Sequence, residues 1–117
     1  MAFTNAVLNA AVDAATALLG FASLHTADPG GTGANEVAGG GYTRIAAVWD
    51  PATGAVAALD GALNFSGPAL GAATHIGFWS AISAGTWRGG GALTGDQAFN
   101  AAGDYTVTAA TVTGANA

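Results

Sequence analysis

The run His75-Ile76-Gly77-Phe78-Trp79 decides the fold of this chain. Its apolar and aromatic side chains follow one another almost without a break, whereas a strand with one solvated face alternates apolar and polar residues. A short, dense run of this kind is typical of a strand that is covered on both faces. The sequence therefore predicts a buried central strand over residues 73–80.

Turn residues recur on either side of this run at a spacing of about 8 to 12 positions, which is typical of an antiparallel sandwich or barrel. Asp50-Pro51 and Gly67-Pro68 mark two of these turns. The predicted fold is mainly β, an antiparallel, jelly-roll-like β-sandwich of about 7–8 strands. The strands are predicted near residues 21–27, 42–49, 55–59, 62–66, 73–80, 86–93 and 105–113.

The first twenty residues follow a helical period. Leu8, Val12, Ala15 and Leu19 recur at spacings of four, three and four, which places them on one face of a short Ala-rich helix. Thr4 is a suitable N-cap, and Gly20 stands where a left-handed C-cap is expected. We predict an N-terminal helical arm over residues 1–20 and a single β-sandwich domain over residues 21–117.

The composition predicts a thin core. Of 117 residues, 31 are Ala and 19 are Gly, whereas Val, Ile, Leu, Met, Phe, Trp and Tyr together number 29. Charged residues make up only 8%, so the chain lacks the high charge of a disordered segment and is expected to fold. Trp49, Trp79 and Trp87 are expected to anchor the core because each buries far more apolar area than an Ala. We expect neighbouring subunits to supply part of the remaining burial.

The charge balance argues against several classes of partner. The chain has seven acids against two cations, Arg44 and Arg88, and it has no Lys and no Cys. A nucleic-acid backbone or an anionic membrane surface requires clustered basic residues, so neither is an expected partner. Without Cys there is no disulfide, thiolate nucleophile or Cys-based metal site. Residues 1–22 lack a basic signal-peptide start and are too interrupted to span a bilayer, which predicts synthesis in a cytoplasm.

Two histidines are the candidates for chemistry. His25 and His75, with Asp28 or Glu36, have the residue types of a two-His, one-carboxylate metal site, but their spacing is not diagnostic of one. Ser23 with His25 suggests a hydrolase, yet no Gly-x-Ser-x-Gly elbow is present. The alternative is that each His bonds to a backbone carbonyl and fixes the strand register. We expect no metal, no cofactor and no enzymatic activity.

Two segments are predicted to lie at the surface. The Gly-rich residues 30–41 lack the Lys and the Ser or Thr of a P-loop, so we predict a surface loop of about a dozen residues. Residues 105–113 alternate without a strongly apolar face, which favours an edge strand or a contact between subunits.

The two arginines each lie in a predicted strand beside an aromatic residue. Each is expected either to pair with an acid across a subunit boundary or to form an ordinary surface ion pair. The candidate structural or subunit-contact residues are Arg44, Arg88, His25, His75, Trp49, Trp79, Trp87, Asp28 and Glu36.

Four blocks of the sequence resemble small virion proteins of tailed bacteriophages. The first, LHTADPGGTGANEVAGGGYTR, covers residues 24–44, and the second, THIGFWSA, covers residues 74–81. GGGALT at 89–94 and GDYTV at 103–107 follow in the family's order. The resemblance extends over residues 21–113 and implies a tail-fibre or minor structural protein without catalytic residues. The Ala and Gly bias resembles that of a phage with an actinobacterial host.

The position on the particle is predicted from the lack of a fibre shaft. Tail fibres generally carry repeats or coiled-coil heptads, and this sequence has neither. The favoured function is therefore non-enzymatic: a capsid decoration or minor capsid protein on the outer surface of the virion, made in the host cytoplasm. Its expected partners are further copies of itself, as a homotrimer, and the major capsid protein, joined by many weak contacts. The alternative is a tail-fibre or tail-tip component that binds a host carbohydrate receptor through an exposed Trp.

Overall fold

The computed structural model describes residues 2–115. The outer ends of the two predicted segments, Met1 and residues 116–117, lie outside the described residues. Within residues 2–115 there are one helix and eight antiparallel strands, which confirms a mainly β fold with a short N-terminal helix. The elements are α1 (Asn5–Thr16), β1 (Phe21–His25), β2 (Ile45–Ala46), β3 (Val56–Ala58), β4 (Leu63–Ser66), β5 (His75–Trp79), β6 (Trp87–Ala92), β7 (Asp104–Val107) and β8 (Thr111–Thr113).

Helix α1 begins where the sequence predicts. Thr4 is the N-cap, and its Oγ1 accepts a hydrogen bond from the Val7 N–H at 3.4 Å. The buried face is formed by Leu8, Val12 and Thr16. This face packs against β3 and β8. No helix within residues 2–115 has the length and apolarity needed to cross a membrane.

The predicted C-cap at Gly20 is wrong. The helix ends at Thr16, and its C-cap is Ala17 in right-handed geometry. The N–H of Leu19 then bonds to the Thr16 carbonyl at 3.0 Å. This tighter turn satisfies the last carbonyls of the helix without a left-handed glycine.

The main sheet has the order β2-β1-β5-β6, with every neighbouring pair antiparallel. The interior position of β5 confirms the buried central strand predicted from its dense sequence. Because side chains alternate between the faces of a sheet, β1 and β5 divide into two sets. Ala22, Leu24, Ile76 and Phe78 face one side, and Ser23, His25, Gly77 and Trp79 face the other.

The first set belongs to the main core. Strands β4 and β7 pair with each other and contribute Leu63, Phe65, Tyr105 and Val107 to the same cluster. The core therefore lies between two layers of antiparallel strands, as in a sandwich. A second, smaller cluster lies under the helix and is formed by Val12, Ala52 and Ala57 with Val112 against them.

The tryptophans do not anchor the core as expected. The largest fully buried side chains are Phe65, Phe99 and Leu24 among the apolar residues, while Trp49, Trp79 and Trp87 are half-buried. Trp49 packs against the edge of the main core, whereas Trp79 and Trp87 belong to the opposite side of the sheet.

Two predicted strands differ from the structure. Residues 105–113 split into β7, which pairs with β4, and β8, which pairs with β3. Each of these strands is at the edge of a two-stranded sheet, which agrees with the predicted edge strand, although Tyr105 and Val107 of β7 are buried in the core. The predicted strand 42–49 is reduced to Ile45–Ala46: a turn closed by the Tyr42 N–H on the Gly39 carbonyl at 3.1 Å takes up its start, and Trp49 near its end forms only an isolated bridge with Leu59.

Candidate functional site

The outer face of the main sheet carries a group of polar and aromatic side chains that we call the aromatic–ionic cluster. The loop between β1 and β2 folds back beside this face, and Glu36 pairs with His25 as an isolated antiparallel bridge. The second half of the predicted surface loop, residues 30–41, is therefore held against β1. The cluster consists of Ser23, His25, Glu36, Tyr42, Arg44, Trp79 and Trp87.

Arg44 is at the centre of the cluster. Its Nε and Nη2 donate to the two carboxylate oxygens of Glu36, each at 2.9 Å. Its Nη1 donates to the carbonyls of Ala81 at 3.1 Å and Ala84 at 2.7 Å. The guanidinium carbon lies 3.8 Å from the centre of the Trp79 ring. Arg44 is only 9% exposed, and its ion pair with Glu36 lies within its own chain.

The carboxylate of Glu36 is held ionised by its neighbours. Besides Arg44, the Tyr42 hydroxyl donates to its Oε2 at 2.9 Å. Burial on its own would raise the pKa of Glu36, but the hydrogen bonds from Arg44 and Tyr42 outweigh it and hold the pKa below the ordinary value of 4.5. Burial raises the pKa of Tyr42. Its oxygen also accepts a hydrogen bond from the Leu24 N–H at 2.9 Å.

His25 is bonded at both ring nitrogens. Nδ1 lies 2.7 Å from the Ala34 carbonyl, and Nε2 lies 2.7 Å from the Ser23 hydroxyl. A carbonyl only accepts, so Nδ1 carries the proton, and the neutral ring then accepts the Ser23 O–H at Nε2. The Ser23 oxygen accepts in turn from Trp79 Nε1 at 2.9 Å. Burial lowers the pKa of His25 below 6.5, which favours this neutral form.

Two glycines make room for the tryptophans. The Trp87 ring meets the His25 ring at 5.3 Å and the Trp79 ring at 5.2 Å, both nearly edge to face. A Cβ on Gly77 would lie 2.4 Å from the Trp87 ring. A Cβ on Gly33, which also has φ of +77°, would lie 2.5 Å from Trp79. The Gly in the middle of β5 is therefore required by the cluster that covers it.

The geometry bears on the hydrolase and metal hypotheses. Ser23 and His25 lie at the distance of a nucleophile and its base, but both are 0% exposed. The third partner, Ala34, offers a carbonyl and no carboxylate. His75 lies opposite His25 in the sheet, and its Nδ1 is 2.8 Å from the Thr74 hydroxyl. Among residues 2–115, no three His, Cys, Asp or Glu side chains are grouped to hold a metal ion.

Three further candidate residues lie outside the cluster. Asp28 caps a turn, since its Oδ1 accepts from the Gly30 N–H at 2.9 Å. Trp49 donates from Nε1 to the Leu19 carbonyl at 3.1 Å. Arg88 is exposed and has no hydrogen-bond or ion-pair partner in the described part of the chain.

A groove lies between β6 and residues 105–112. Its volume is about 520 Å³. The core residues Ile76 and Phe78 form its floor, and the half-buried Trp49 also lines it. The described residues thus leave the sandwich open along this side.

The sequence named five members of the cluster, His25, Glu36, Arg44, Trp79 and Trp87, but not the bonds that join them. The cluster roles of Ser23 and Tyr42 were missed. A signal for Ser23 exists, because Ser23 and His25 put two polar groups on the same face of a strand that is otherwise apolar.

The fold and the cluster together define a small antiparallel β protein whose buried polar side chains bond to one another. The family model described as podophage GP4 fiber I protein gp80 matches residues 2–115, so the chain belongs to this family of bacteriophage fibre proteins. It is thus a structural protein of the phage virion. No curated protein and no solved structure matches the chain.

Proposed function

We propose that the chain is a non-enzymatic structural component of a bacteriophage tail fibre. The observation that carries this proposal is the family match, which extends over residues 2–115 and so includes every strand of the fold. It supports the tail-fibre alternative better than the capsid decoration role favoured by the sequence. The sequence has neither repeats nor heptads that would form a shaft, which argued against a fibre. A module that is carried by other fibre proteins needs no shaft of its own.

The internal bonding of the module supports a structural role. No buried side-chain nitrogen or oxygen within residues 2–115 lacks a hydrogen-bond partner. The pair that most resembles catalytic machinery, Ser23 and His25, is enclosed between the sheet and the docked loop. A fully bonded, enclosed network of this kind stiffens a fold and fixes its register. The expected partners remain further copies of the chain and other virion proteins.

The test locates the protein on intact particles. The chain has no Cys, and Ile82 is 56% exposed at the turn between β5 and β6. Phage carrying Ile82→Cys, labelled with maleimide-linked gold, is expected to show gold at the tail. Unmodified phage treated in the same way controls for other virion thiols. Gold distributed over the capsid shell would overturn the proposal in favour of a decoration protein.

Carbohydrate receptor binding stays a prediction of the fibre alternative. It requires an aromatic ring at a concave surface, and Trp49 meets that requirement at the groove beside β6. Trp79 and Trp87 do not line this groove. Titration of host polysaccharide against the Trp fluorescence of the wild type and of Trp49→Phe tests it, and an unchanged spectrum would count against it.

A further inference from the structure

Strand β6 is an unusually open edge. It is the longest strand among residues 2–115, with six residues, and it stands at the end of the main sheet. Natural edge strands are normally protected by charges, prolines or bulges. Here the protection consists of Arg88 and one irregularity beside Trp87. Gly89, Gly90 and Gly91 leave the middle of the edge without side chains.

The hydrogen-bonding groups on this edge can be assigned. The Leu93 N–H donates to the Thr74 carbonyl of the neighbouring chain segment at 2.9 Å. Donors on an antiparallel strand point alternately to its two sides. Gly91 therefore faces β5, whereas the N–H and C=O groups of Gly90 and Ala92 point away from the sheet. These groups are free to pair with another strand.

The lining of the groove supports this assignment. Residues 88–94 and residues 105–112 line it without a gap in either series. Successive side chains of a strand point to opposite faces of the sheet, so a cavity on one face would contact only every second residue. A cavity that contacts consecutive residues must lie along the edge of the strand. The groove thus runs along backbone, and an extended chain is the occupant that such an edge accepts.

The charges at the two ends of this edge are complementary to those of a second, antiparallel copy of the same edge. Arg88 lies near the start of the segment, and Asp96 lies just beyond its end. Neither side chain has a hydrogen-bond or ion-pair partner among the described residues. When two copies of the segment run antiparallel, each Arg88 comes to the end that carries the other copy's Asp96. Two-fold pairing of identical surfaces has this reciprocal form.

From these observations we infer that β6 pairs with β6 of a second copy of the chain, as an antiparallel two-fold contact. The two main sheets then join into one continuous sheet of eight strands, twice the four of one chain. The open sides of the two sandwiches meet, which covers the apolar floor formed by Ile76 and Phe78. The inference rests on the proposed structural role and supplies a contact for it.

A proline on the edge tests the contact directly. Ala92→Pro removes an N–H that the β5 pairing does not use, and proline is tolerated on such an edge. The matched control, Ala92→Val, keeps the N–H. In sedimentation velocity at micromolar concentration we expect dimers for the wild type and Ala92→Val, and monomers for Ala92→Pro. A dimeric Ala92→Pro, or a monomeric wild type, would overturn the inference.

A charge exchange provides a test that does not depend on proline. Arg88→Asp and Asp96→Arg each place like charges opposite each other and are expected to raise the dimer dissociation constant about tenfold or more. The double variant restores opposite charges and is expected to return the constant close to that of the wild type. Single variants that leave the constant unchanged would contradict the pairing, and so would a trimer in the wild type. A wild type that stays monomeric and whose Trp49 fluorescence responds saturably to host polysaccharide would assign the groove to a glycan instead.

These outcomes are separable from those of the gold-labelling experiment. Loss of dimers with gold still at the tail rejects only the β6 contact. Dimers that are lost in Ala92→Pro and kept in Ala92→Val, together with gold on the capsid, reject only the tail-fibre location.

Discussion

At the scale of single residues, Arg44 joins three parts of the chain that are distant in sequence. It holds Glu36 in the first long loop and the carbonyls of Ala81 and Ala84 in the turn after β5. It also stacks on Trp79 in the main sheet. A planar guanidinium can make these contacts together, because its donors are fixed in one plane and its face is free to stack.

Replacing Arg44 is therefore expected to destabilise the fold. Arg44→Ala leaves a half-buried carboxylate without its cation and two carbonyls without the donor that Arg44 supplies, and we expect a loss of roughly 3 kcal/mol in the free energy of unfolding. Arg44→Lys keeps the charge but loses the paired bonds and the stacking, so an intermediate loss is expected. Urea unfolding followed by far-UV circular dichroism measures both. Arg88→Ala, measured at high dilution, is the control and is expected to stay within about 0.5 kcal/mol of the wild type. Equal effects at the two arginines would contradict this account.

His25 makes stability depend on pH. Burial lowers its pKa in the folded state below 6.5, so the unfolded chain binds the proton first as the pH falls. This contribution to stability is fully present above about pH 6.5 and declines from there towards the folded-state pKa. Glu36 adds a second decline at lower pH, below its ordinary value of 4.5, because its pKa is also lowered.

The urea midpoint is accordingly expected to fall between about pH 7 and pH 5. His25→Gln is expected to be less stable at neutral pH and to lose most of this slope. His75→Gln leaves the bonded ring of His25 in place and is expected to keep it. A flat profile in the wild type, or an unchanged slope in His25→Gln, would show that another group is responsible.

The sequence could predict these residues but not their partners. Arg44 stands out because it is one of only two cations against seven acids, which is visible in the composition. Its bond to Glu36 depends on how the loop from Asp28 folds back, and no local pattern encodes that path. For Arg44 the sequence left a pair between subunits and a surface ion pair open; the structure shows a pair within the chain that is largely buried, because the same loop brings the Glu36 carboxylate back to Arg44.

At the scale of elements, helix α1 is attached to the β domain by side chains that capture backbone donors. Asn9 Oδ1 accepts from the Ala55 N–H at 2.7 Å, and Asp13 Oδ1 accepts from the Ala52 N–H at 2.8 Å. Both donors lie in the loop before β3. The helix thus supplies the hydrogen-bond partners that this loop would otherwise lack.

Removing both hydrogen bonds is expected to loosen the attachment of α1 to the loop before β3. Asn9→Ala with Asp13→Ala leaves two amides unpaired, at a cost of about 1–3 kcal/mol for each buried group. Hydrogen exchange is expected to speed up selectively at Ala52 and Ala55, while the amides of β5 change little. Asn5→Ala, on the first helical turn, is the control. Uniform acceleration across the chain would indicate global destabilisation and contradict the local attachment.

The strands were easier to predict than their limits. Dense apolar sequence identified β5, because burial on both faces leaves a clear pattern in side-chain type. Residues 105–113 gave one predicted strand because Thr and Ala residues continue through the break at residues 108–110. The break is set by a change of pairing partner from β4 to β3, which is a long-range event that single-strand patterns do not contain.

At the scale of the whole molecule, the chain is elongated, with extents of 47 × 24 × 21 Å. An elongated shape gives a small core a large surface, which agrees with the few large apolar residues in the sequence. The groove beside β6 adds to that surface, because core side chains reach it from the open side. Pairing through this side would stabilise the folded chain by mass action.

Thermal stability is therefore expected to depend on protein concentration. The midpoint of unfolding should rise as the wild type is concentrated, because dimerisation removes folded monomer from the equilibrium. Ala92→Pro is expected to unfold at one temperature at all concentrations, and Ala92→Val to follow the wild type. Differential scanning calorimetry over a hundredfold dilution series measures this. A concentration-independent midpoint in the wild type would argue that the thin core suffices alone.

The packing of α1 against β8 brings the two ends of the fold together. A Cβ on Gly114 would lie 2.9 Å from the Val12 side chain, and Val12 is about 10 Å along the helix from its first residue. A linker of a few residues would therefore connect residue 115 to Asn5, and the chain could be reopened at the exposed Asp60-Gly61 turn. Such a circular permutant should reach the same fold. Peptides fused at its new ends would then leave from the turn between β3 and β4 and no longer from beside the helix.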